Sequence, residues 1–166
     1  MTNRYARGFA ALRIFFGLIW LSNGLAKLTG AGSFDLGPVT IGLLDLPTAQ
    51  FIANDAATRT TIAPLAAFYR DIVLPNWGAF GTFLTLAEIA AGLALLFGFI
   101  TRAAALGTLL LITPIWVMYL VSGVHQYVWT YPADLFPLLL LAIVPAGRVA
   151  GLDARLAARF GDRWPF

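Results

Sequence analysis

Residues 75–100 read PNWGAFGTFLTLAEIAAGLALLFGFI, and Glu88 is their only ionisable residue. About 20 mostly apolar residues suffice to cross the hydrocarbon core of a bilayer. This stretch is therefore predicted to be a membrane-spanning helix. The same criterion selects three further spans, at residues 8–28, 103–121 and 132–147. The fold class predicted is an all-α integral membrane protein, a four-helix transmembrane bundle that forms a single domain over residues 1–166.

The composition excludes several other classes of protein. Of the 166 residues, 60% are hydrophobic and 11% charged, and the net charge is +3, whereas a soluble domain is about 25% charged. The mean hydropathy of +0.81 argues equally against disorder. Basic residues form no dense patch beyond a short C-terminal cluster, so no nucleic-acid partner is expected. The chain has no cysteine and one histidine, so we expect no metal, haem or iron–sulfur cluster.

Lysine and arginine in short loops predict the orientation of the bundle. One side would carry seven of them, the other side three. The first group is Arg4, Arg7, Arg102, Arg148, Arg155, Arg159 and Arg163, and the second is Lys27, Arg59 and Arg70. Both termini are therefore expected to be cytoplasmic, in a multi-pass protein of a prokaryotic cell membrane.

Two segments lie outside the predicted spans. Residues 29–74 are expected to form an external loop, irregular in its first half. Its second half carries Ile62, Leu65, Tyr69 and Ile72 at helical spacing, which predicts a short external amphipathic helix. Residues 148–166 are predicted to form a basic amphipathic tail on the anionic inner leaflet, so membrane lipid is an expected partner.

The first two spans each carry a stripe of small and polar residues. The stripes are Arg13, Gly17, Trp20, Gly24 and Lys27 on the first span, and Gly78, Gly81, Thr85, Glu88 and Gly92 on the second. Small residues let helices approach closely, so these stripes are predicted to face each other. A lone carboxylate in mid-membrane is costly, and we expect Glu88 to pair with Arg13. Three roles are open for this pair. It could only fix the register of the two helices, it could exchange protons beside a quinone or small anion, or it could couple the chain to a partner subunit.

A second group of polar residues is predicted at the outer ends of the helices, at one membrane depth. Its members are Asn23, Lys27, His125 and Asp134, with Trp20, Trp77, Trp116, Tyr119 and Trp129 as candidate walls. Each has an ordinary structural explanation, such as a helix N-terminus for Asp134, a snorkelling anchor for Lys27 or an interfacial belt for the aromatic residues. Together they predict a substrate site between the first and fourth spans, beneath the helix at residues 60–73.

Two motifs resemble the DoxX family of membrane proteins. The first is RIFFGLIWLSNGLAKL at residues 13–28, and the second is EIAAGLALLFGFITR at residues 88–102. The pieces at residues 74–81 and 146–153 are most similar to the DoxD branch. That resemblance implies a four-helix bundle and the membrane subunit of a thiosulfate:quinone oxidoreductase, which works with a DoxA-like second subunit and passes electrons to quinone.

The function that follows from this resemblance is a quinone-linked oxidoreductase subunit with quinone as its cofactor. Its candidate catalytic residues are Arg13, Lys27, Glu88, His125 and Asp134, and its candidate cofactor-binding residues are Trp20, Asn23, Trp77, Trp116 and Tyr119. The alternatives are a non-catalytic anchor or assembly subunit that binds quinone or lipid, and a small transporter. A homo-oligomer is the alternative to a second subunit.

Overall fold

The computed structural model describes residues 3–123 and 131–166, and 74% of it is helical. The helices are α1 (Asn3–Thr29), α2 (Leu46–Arg59), α3 (Ala63–Phe68), α4 (Trp77–Phe97), α5 (Thr101–Leu120), α6 (Pro132–Ile143) and α7 (Asp153–Phe160). Strands β1 (Ser33–Asp35) and β2 (Thr40–Gly42) form an antiparallel hairpin. A π-helical turn, Tyr69–Val73, follows α3, and a 3-10 turn, Ala146–Arg148, follows α6. The predicted site residues His125 and Trp129 lie outside the described ranges.

Helices α1 and α4 form an antiparallel pair whose backbones touch, as the glycine stripes predict. A Cβ atom at Gly17 would lie 2.6 Å from the Leu96 nitrogen, and one at Gly92 would lie 2.5 Å from the Leu21 nitrogen. One at Gly24 would lie 2.9 Å from the Ile89 nitrogen. Glycine is required at these three positions because any side chain would push the two helices apart.

Helix α5 packs mainly against α6, so the bundle consists of two helix pairs. A core of buried side chains joins the pairs near the α4–α5 turn: Phe16, Trp20, Leu95, Ala105, Leu138, Leu141 and Ala146. Toward the opposite end the pairs are covered by α2, α3 and the π-helical turn, residues 46–73, which we call the lid. The two ends are named the turn end and the lid end below.

Within the described residues, α1, α4 and α5 are long and apolar enough to cross a membrane. Helix α6 is apolar but has only 12 residues, a length of about 18 Å at 1.5 Å per residue. Three of the four predicted spans are therefore present at full length, and the fourth span stays a prediction.

The segment between α1 and α4 is more ordered than its composition indicates. The helix predicted at residues 60–73 is present as α3 and the π-helical turn, residues 63–73. The prediction of an irregular first half is wrong, because it contains the β-hairpin and the start of α2. Helix α2 begins where the Asp45 carboxylate accepts a hydrogen bond from the Thr48 N–H at 2.9 Å. It buries only alanines, which a search for large apolar residues does not detect: Ala49, Ala53, Ala56 and Ala57.

The C-terminal segment closes the turn end of the bundle. The backbone N–H groups of Leu152 and Asp153 donate to the carbonyls of Phe97 and Gly98, which end α4. The fully buried Asp153 carboxylate accepts a hydrogen bond from the Thr101 N–H at 3.0 Å and so caps α5. The predicted amphipathic tail is helical only in α7, since the residues before it dock on this turn.

Candidate functional site

A cavity of about 520 Å³ lies at the lid end, between the two helix pairs and beneath the lid. It is lined mainly by apolar and aromatic side chains: Ile19, Trp20, Asn23, Lys27, Leu44, Ala49, Ile52, Ala53, Phe68, Tyr69, Val73, Trp77, Phe80, Phe83, Leu84, Glu88, Leu111, Ile112, Ile115, Tyr131 and Asp134. The volume falls within the range of about 300–1,000 Å³ that is typical of small-molecule sites. A smaller depression in the lid, about 350 Å³, has no ionisable side chain in its lining.

The most polar part of the cavity wall is a buried ion pair between Lys27 of α1 and Glu88 of α4. Lys27 Nζ lies 2.8 Å from Glu88 Oε2, and the side chains are 0% and 8% exposed. The predicted pair of Glu88 with Arg13 is wrong. Arg13 lies at the turn end, where its guanidinium donates to the Ala150 carbonyl at 3.0 Å. There the guanidinium packs against Gly98 and Gly151.

Helix geometry explains why lysine rather than arginine meets Glu88. The contact between Gly24 and Ile89 places Glu88 at the level of Gly24, eleven residues or about 16 Å from Arg13. Side chains tilt toward the N-terminus of their own helix. In an antiparallel pair, Lys27 and Glu88 therefore lean toward each other, whereas Arg13 leans away. Extending Arg13 toward Glu88 would oppose this tilt.

The backbone of Leu44, just before the lid, is held by the same polar group. Its carbonyl accepts a hydrogen bond from Lys27 Nζ at 2.9 Å. Its N–H donates to Asn23 Oδ1 at 3.0 Å. Asn23 and Lys27 are one helical turn apart on α1, so together they bind both backbone polar groups of Leu44, its N–H and its carbonyl. The ion pair is thereby connected to the chain that enters the lid.

The lid is also fastened to the end of α5. The Tyr119 hydroxyl donates to Asp55 Oδ2 at 3.0 Å, and Arg59 Nε lies 2.6 Å from Asp55 Oδ1. The Tyr119 ring stacks on Tyr131 with centroids 6.0 Å apart, and the Thr61 hydroxyl donates to the Val121 carbonyl at 3.0 Å. The hydrogen bond from Arg59, followed by that from Tyr119, lowers the pKa of the Asp55 carboxyl.

We expect lid docking to weaken in acid. Because the pKa of Asp55 is depressed in the folded protein, its contribution is present above the ordinary aspartate pKa, about 3.9. That contribution is lost as pH falls through the lower pKa of the docked state. Hydrogen exchange in residues 46–73 should therefore accelerate over this range beyond its intrinsic pH dependence, and Asp55→Asn should remove the additional change. An unchanged profile in Asp55→Asn would contradict the assignment.

Three further polar groups lie in the cavity wall without a hydrogen-bond partner among the described residues. The Trp77 Nε1–H is buried. The Tyr69 hydroxyl belongs to a half-buried residue in the π-helical turn, and burial raises its pKa. The Asp134 carboxylate is in the first turn of α6, where it faces the positive end of the helix dipole. The Tyr69 and Asp134 groups are available to a polar ligand, whereas the Trp77 Nε1–H becomes available only when the indole ring turns toward the cavity.

The structure brings together most of the predicted site residues. Those that line the cavity are Trp20, Asn23, Lys27, Trp77, Glu88 and Asp134. Arg13 is at the opposite end of the bundle, Tyr119 fastens the lid from outside the cavity, and Trp116 is not part of the lining. The lining also extends over α4 and α5, on which Trp77, Glu88, Trp116 and Tyr119 were predicted, although the α5 residues that line it are Leu111, Ile112 and Ile115.

Sequence reasoning missed the contribution of α2 and of the residues beside it. Leu44, Ala49, Ile52 and Ala53 all line the cavity. The signal for α2 was Asp45, followed by Pro47 in the first turn and alanines at helical spacing. The role of Leu44 had no sequence signal, because its backbone rather than its side chain makes the contacts.

Within residues 3–123 and 131–166, no three His, Asp or Glu side chains cluster as metal ligands. No solved structure matches the chain. The family model for DoxX matches residues 8–122, which include most of α1, the lid, α4, α5 and almost all of the cavity lining. Because that match covers more than half of the chain, the protein belongs to the DoxX family.

Proposed function

We propose that this DoxX-family membrane protein binds a membrane quinone in the cavity and serves as the membrane subunit of a quinone-linked oxidoreductase. The observation that carries the proposal is the cavity itself, an apolar and aromatic chamber with the Lys27–Glu88 ion pair in its wall. A quinone ring needs an apolar slot and hydrogen-bonding groups for its carbonyl oxygens. Ligand sites of this type combine hydrophobic walls with a few placed polar groups.

The residues present fit such a ring. The buried Trp77 Nε1–H lacks a partner among the described residues and can donate to a carbonyl oxygen once the indole ring turns toward the cavity. The Tyr69 hydroxyl provides a second donor. Trp20 and Phe80 supply aromatic wall, against which a planar ring can stack. The cavity thus offers both kinds of contact that a quinone requires.

A bound quinone would supply two-electron chemistry, taking up two electrons and two protons to become the quinol. The role we propose for Glu88 is to hold and transfer a proton, because it is an ionisable group in the wall of the cavity. Lys27 keeps that carboxylate paired in a site where a lone charge is costly. Asp134 is a second carboxylate in the cavity wall, and we propose that it can also hold and transfer a proton.

The charges of the cavity favour a neutral ligand over an anion. Lys27 is already paired with Glu88, and Asp134 adds a further carboxylate. With all three groups ionised, the cavity carries a net negative charge and would repel the thiosulfate dianion. We therefore propose that thiosulfate, the donor that the DoxD resemblance indicates, reacts outside the cavity in a complex with a DoxA-like second subunit. Two thiosulfates would join through a new sulfur–sulfur bond to give tetrathionate, and their two electrons would go to quinone.

The orientation proposed is a four-span bundle with the turn end in the cytoplasm of a prokaryotic cell. The start of α1, the α4–α5 turn and the C-terminal segment share that end, since Arg13 bonds Ala150 and Leu152 bonds Phe97. These segments carry seven of the eleven lysine and arginine residues, which is typical of cytoplasmic loops. The cavity then opens toward the outer half of the bilayer.

Quinone binding can be tested directly with the purified protein in detergent. Quenching of tryptophan fluorescence should follow a saturable titration with a benzoquinone, because Trp20 and Trp77 line the cavity. Trp77→Phe should weaken binding about fivefold or more through the lost hydrogen bond. Trp164→Phe is the matched control, since Trp164 is exposed in the C-terminal segment. Equal affinity in both variants, or no saturable quenching in the wild type, would overturn the assignment.

A second assay separates an enzyme from an anchor. Thiosulfate is added to the quinone-loaded protein, alone and with a DoxA-like subunit, and loss of quinone absorbance is compared with tetrathionate formed. Stoichiometric turnover supports the oxidoreductase, and Glu88→Gln should slow it about tenfold or more. Saturable quinone binding without turnover in either mixture would favour the alternative function, a non-catalytic subunit that binds quinone or lipid.

A further inference from the structure

Two phenylalanines line the cavity and are also exposed on the outside of the molecule. Phe83 of α4 is 61% exposed, and Phe68 at the end of α3 is 44% exposed. A side chain that contacts a cavity and the exterior at once lies at an opening. The cavity therefore opens where the lid meets α4, and this opening is framed by aromatic rings.

The opening faces lipid rather than water. Phe83 lies six residues after Trp77, about 9 Å into α4 at 1.5 Å per residue. It begins an exposed stripe at helical spacing that is entirely apolar: Phe83, Leu86, Ala90, Leu93 and Phe97. A helix long and apolar enough to cross the membrane presents such a stripe to the acyl chains.

The cavity lies between the two helix pairs. Helix α4 packs mainly against α1, and α5 mainly against α6. Cavity-lining residues are found on both inner faces, Leu84 on α4 and Ile112 on α5. On α4 the lining includes Glu88, Leu84 and Phe83, so it extends from the ion pair to a residue that is also exposed on the outside. A ligand whose polar head lies near the ion pair would have its apolar end at Phe83.

We infer that the opening between Phe68 and Phe83 is a lateral portal through which the isoprenoid tail of the quinone leaves the cavity for the bilayer. The inference rests on the proposed function and adds a substrate class to it, a quinone with a long hydrocarbon tail. A tail of this kind cannot be contained in a cavity of about 520 Å³ that also holds the ring. It matches the apolar surface that surrounds the opening, whereas a water-soluble substrate would have to cross that surface.

The test compares two probes, a benzoquinone with a ten-carbon tail and the same ring without a tail. Phe83→Ala removes one wall of the portal. The matched control is Leu86→Ala, which truncates an equally exposed residue (60%) of the same stripe that does not line the cavity. Each affinity is expressed relative to the wild type with the same probe, so that partitioning into detergent cancels.

The expected result is that Phe83→Ala weakens binding of the tailed quinone about fivefold or more through lost apolar contact. Binding of the tailless ring should stay within about twofold, and Leu86→Ala should alter neither. Equal effects of Phe83→Ala on both probes, or none on either, would overturn the portal while leaving quinone binding in place. Failure of the wild type to bind either probe would overturn the portal together with the proposed function. Retention of phospholipid by the wild type and its loss in Phe83→Ala, with quinone affinities unchanged, would assign the opening to a lipid acyl chain instead.

Discussion

Replacing Lys27 by methionine should destabilise the protein by about 3–5 kcal/mol, the cost expected when one partner of a buried ion pair is removed. Glu88 would have to hold an unpaired charge or take up a proton in a nearly dry site, because its side chain is only 8% exposed and Lys27 is the one cation that pairs with it in the described part of the chain. Methionine has a similar length and fills the space, so the effect isolates the ammonium. The loss of stability can be measured by unfolding the protein in detergent and monitoring its helical circular dichroism signal.

The double variant Lys27→Met, Glu88→Leu distinguishes lost charge pairing from lost packing. Removing both charges eliminates the unpaired carboxylate, so this variant should recover most of the stability and unfold within about 1–2 kcal/mol of the wild type. The remaining deficit reflects the hydrogen bond from Lys27 Nζ to the Leu44 carbonyl. Arg70→Met, which changes an exposed cation of the lid, is the control and should have little effect. Equal loss of stability in the single and double variants would contradict the ion-pair account.

Gly92→Ala should be the second severe variant, with a loss of about 3 kcal/mol or more of stability. The added Cβ would lie 2.5 Å from the nitrogen and 2.7 Å from the Cα of Leu21. These are backbone atoms of a packed helix and cannot rotate away, so α1 and α4 must separate along their whole contact. Thermal unfolding of the purified variant gives the size of the effect. The ion pair should weaken with it, because Lys27 and Glu88 meet across the same interface.

Gly78→Ala provides the matched control on the same helix. A Cβ at Gly78 meets nothing within 4 Å, so this variant should unfold within about 1 kcal/mol of the wild type, or slightly above it, because alanine favours helix. If Gly92→Ala proved as stable as Gly78→Ala, the close approach of α1 and α4 would be wrong. Both glycines belong to the predicted stripe, and only the contact with α1 separates their expected effects.

Much of the helical architecture could be predicted from the order of residues along the chain. Apolar length identifies α1, α4 and α5, and the spacing of Gly17, Gly24 and Gly92 predicts which faces meet. These are properties of one helix at a time, since the period of an α-helix fixes which residues share a face. The same local information identified six of the residues that line the cavity, including Trp20, Asn23, Lys27 and Glu88.

The partner of Glu88 was decided only by the tertiary structure. The axial register of α1 against α4 is set by which glycine contacts which backbone atom of the other helix. The tilt of side chains toward each helix N-terminus then places Lys27 rather than Arg13 beside Glu88. The position of the lid over the cavity was also decided only by the tertiary structure. Helix α2 buries alanines that carry no strong local signal. The chain that enters it is held by the backbone N–H and carbonyl of Leu44, groups that are the same in every residue except proline. Periodicity therefore determines which faces of this protein are polar, and helix contacts determine which polar groups meet.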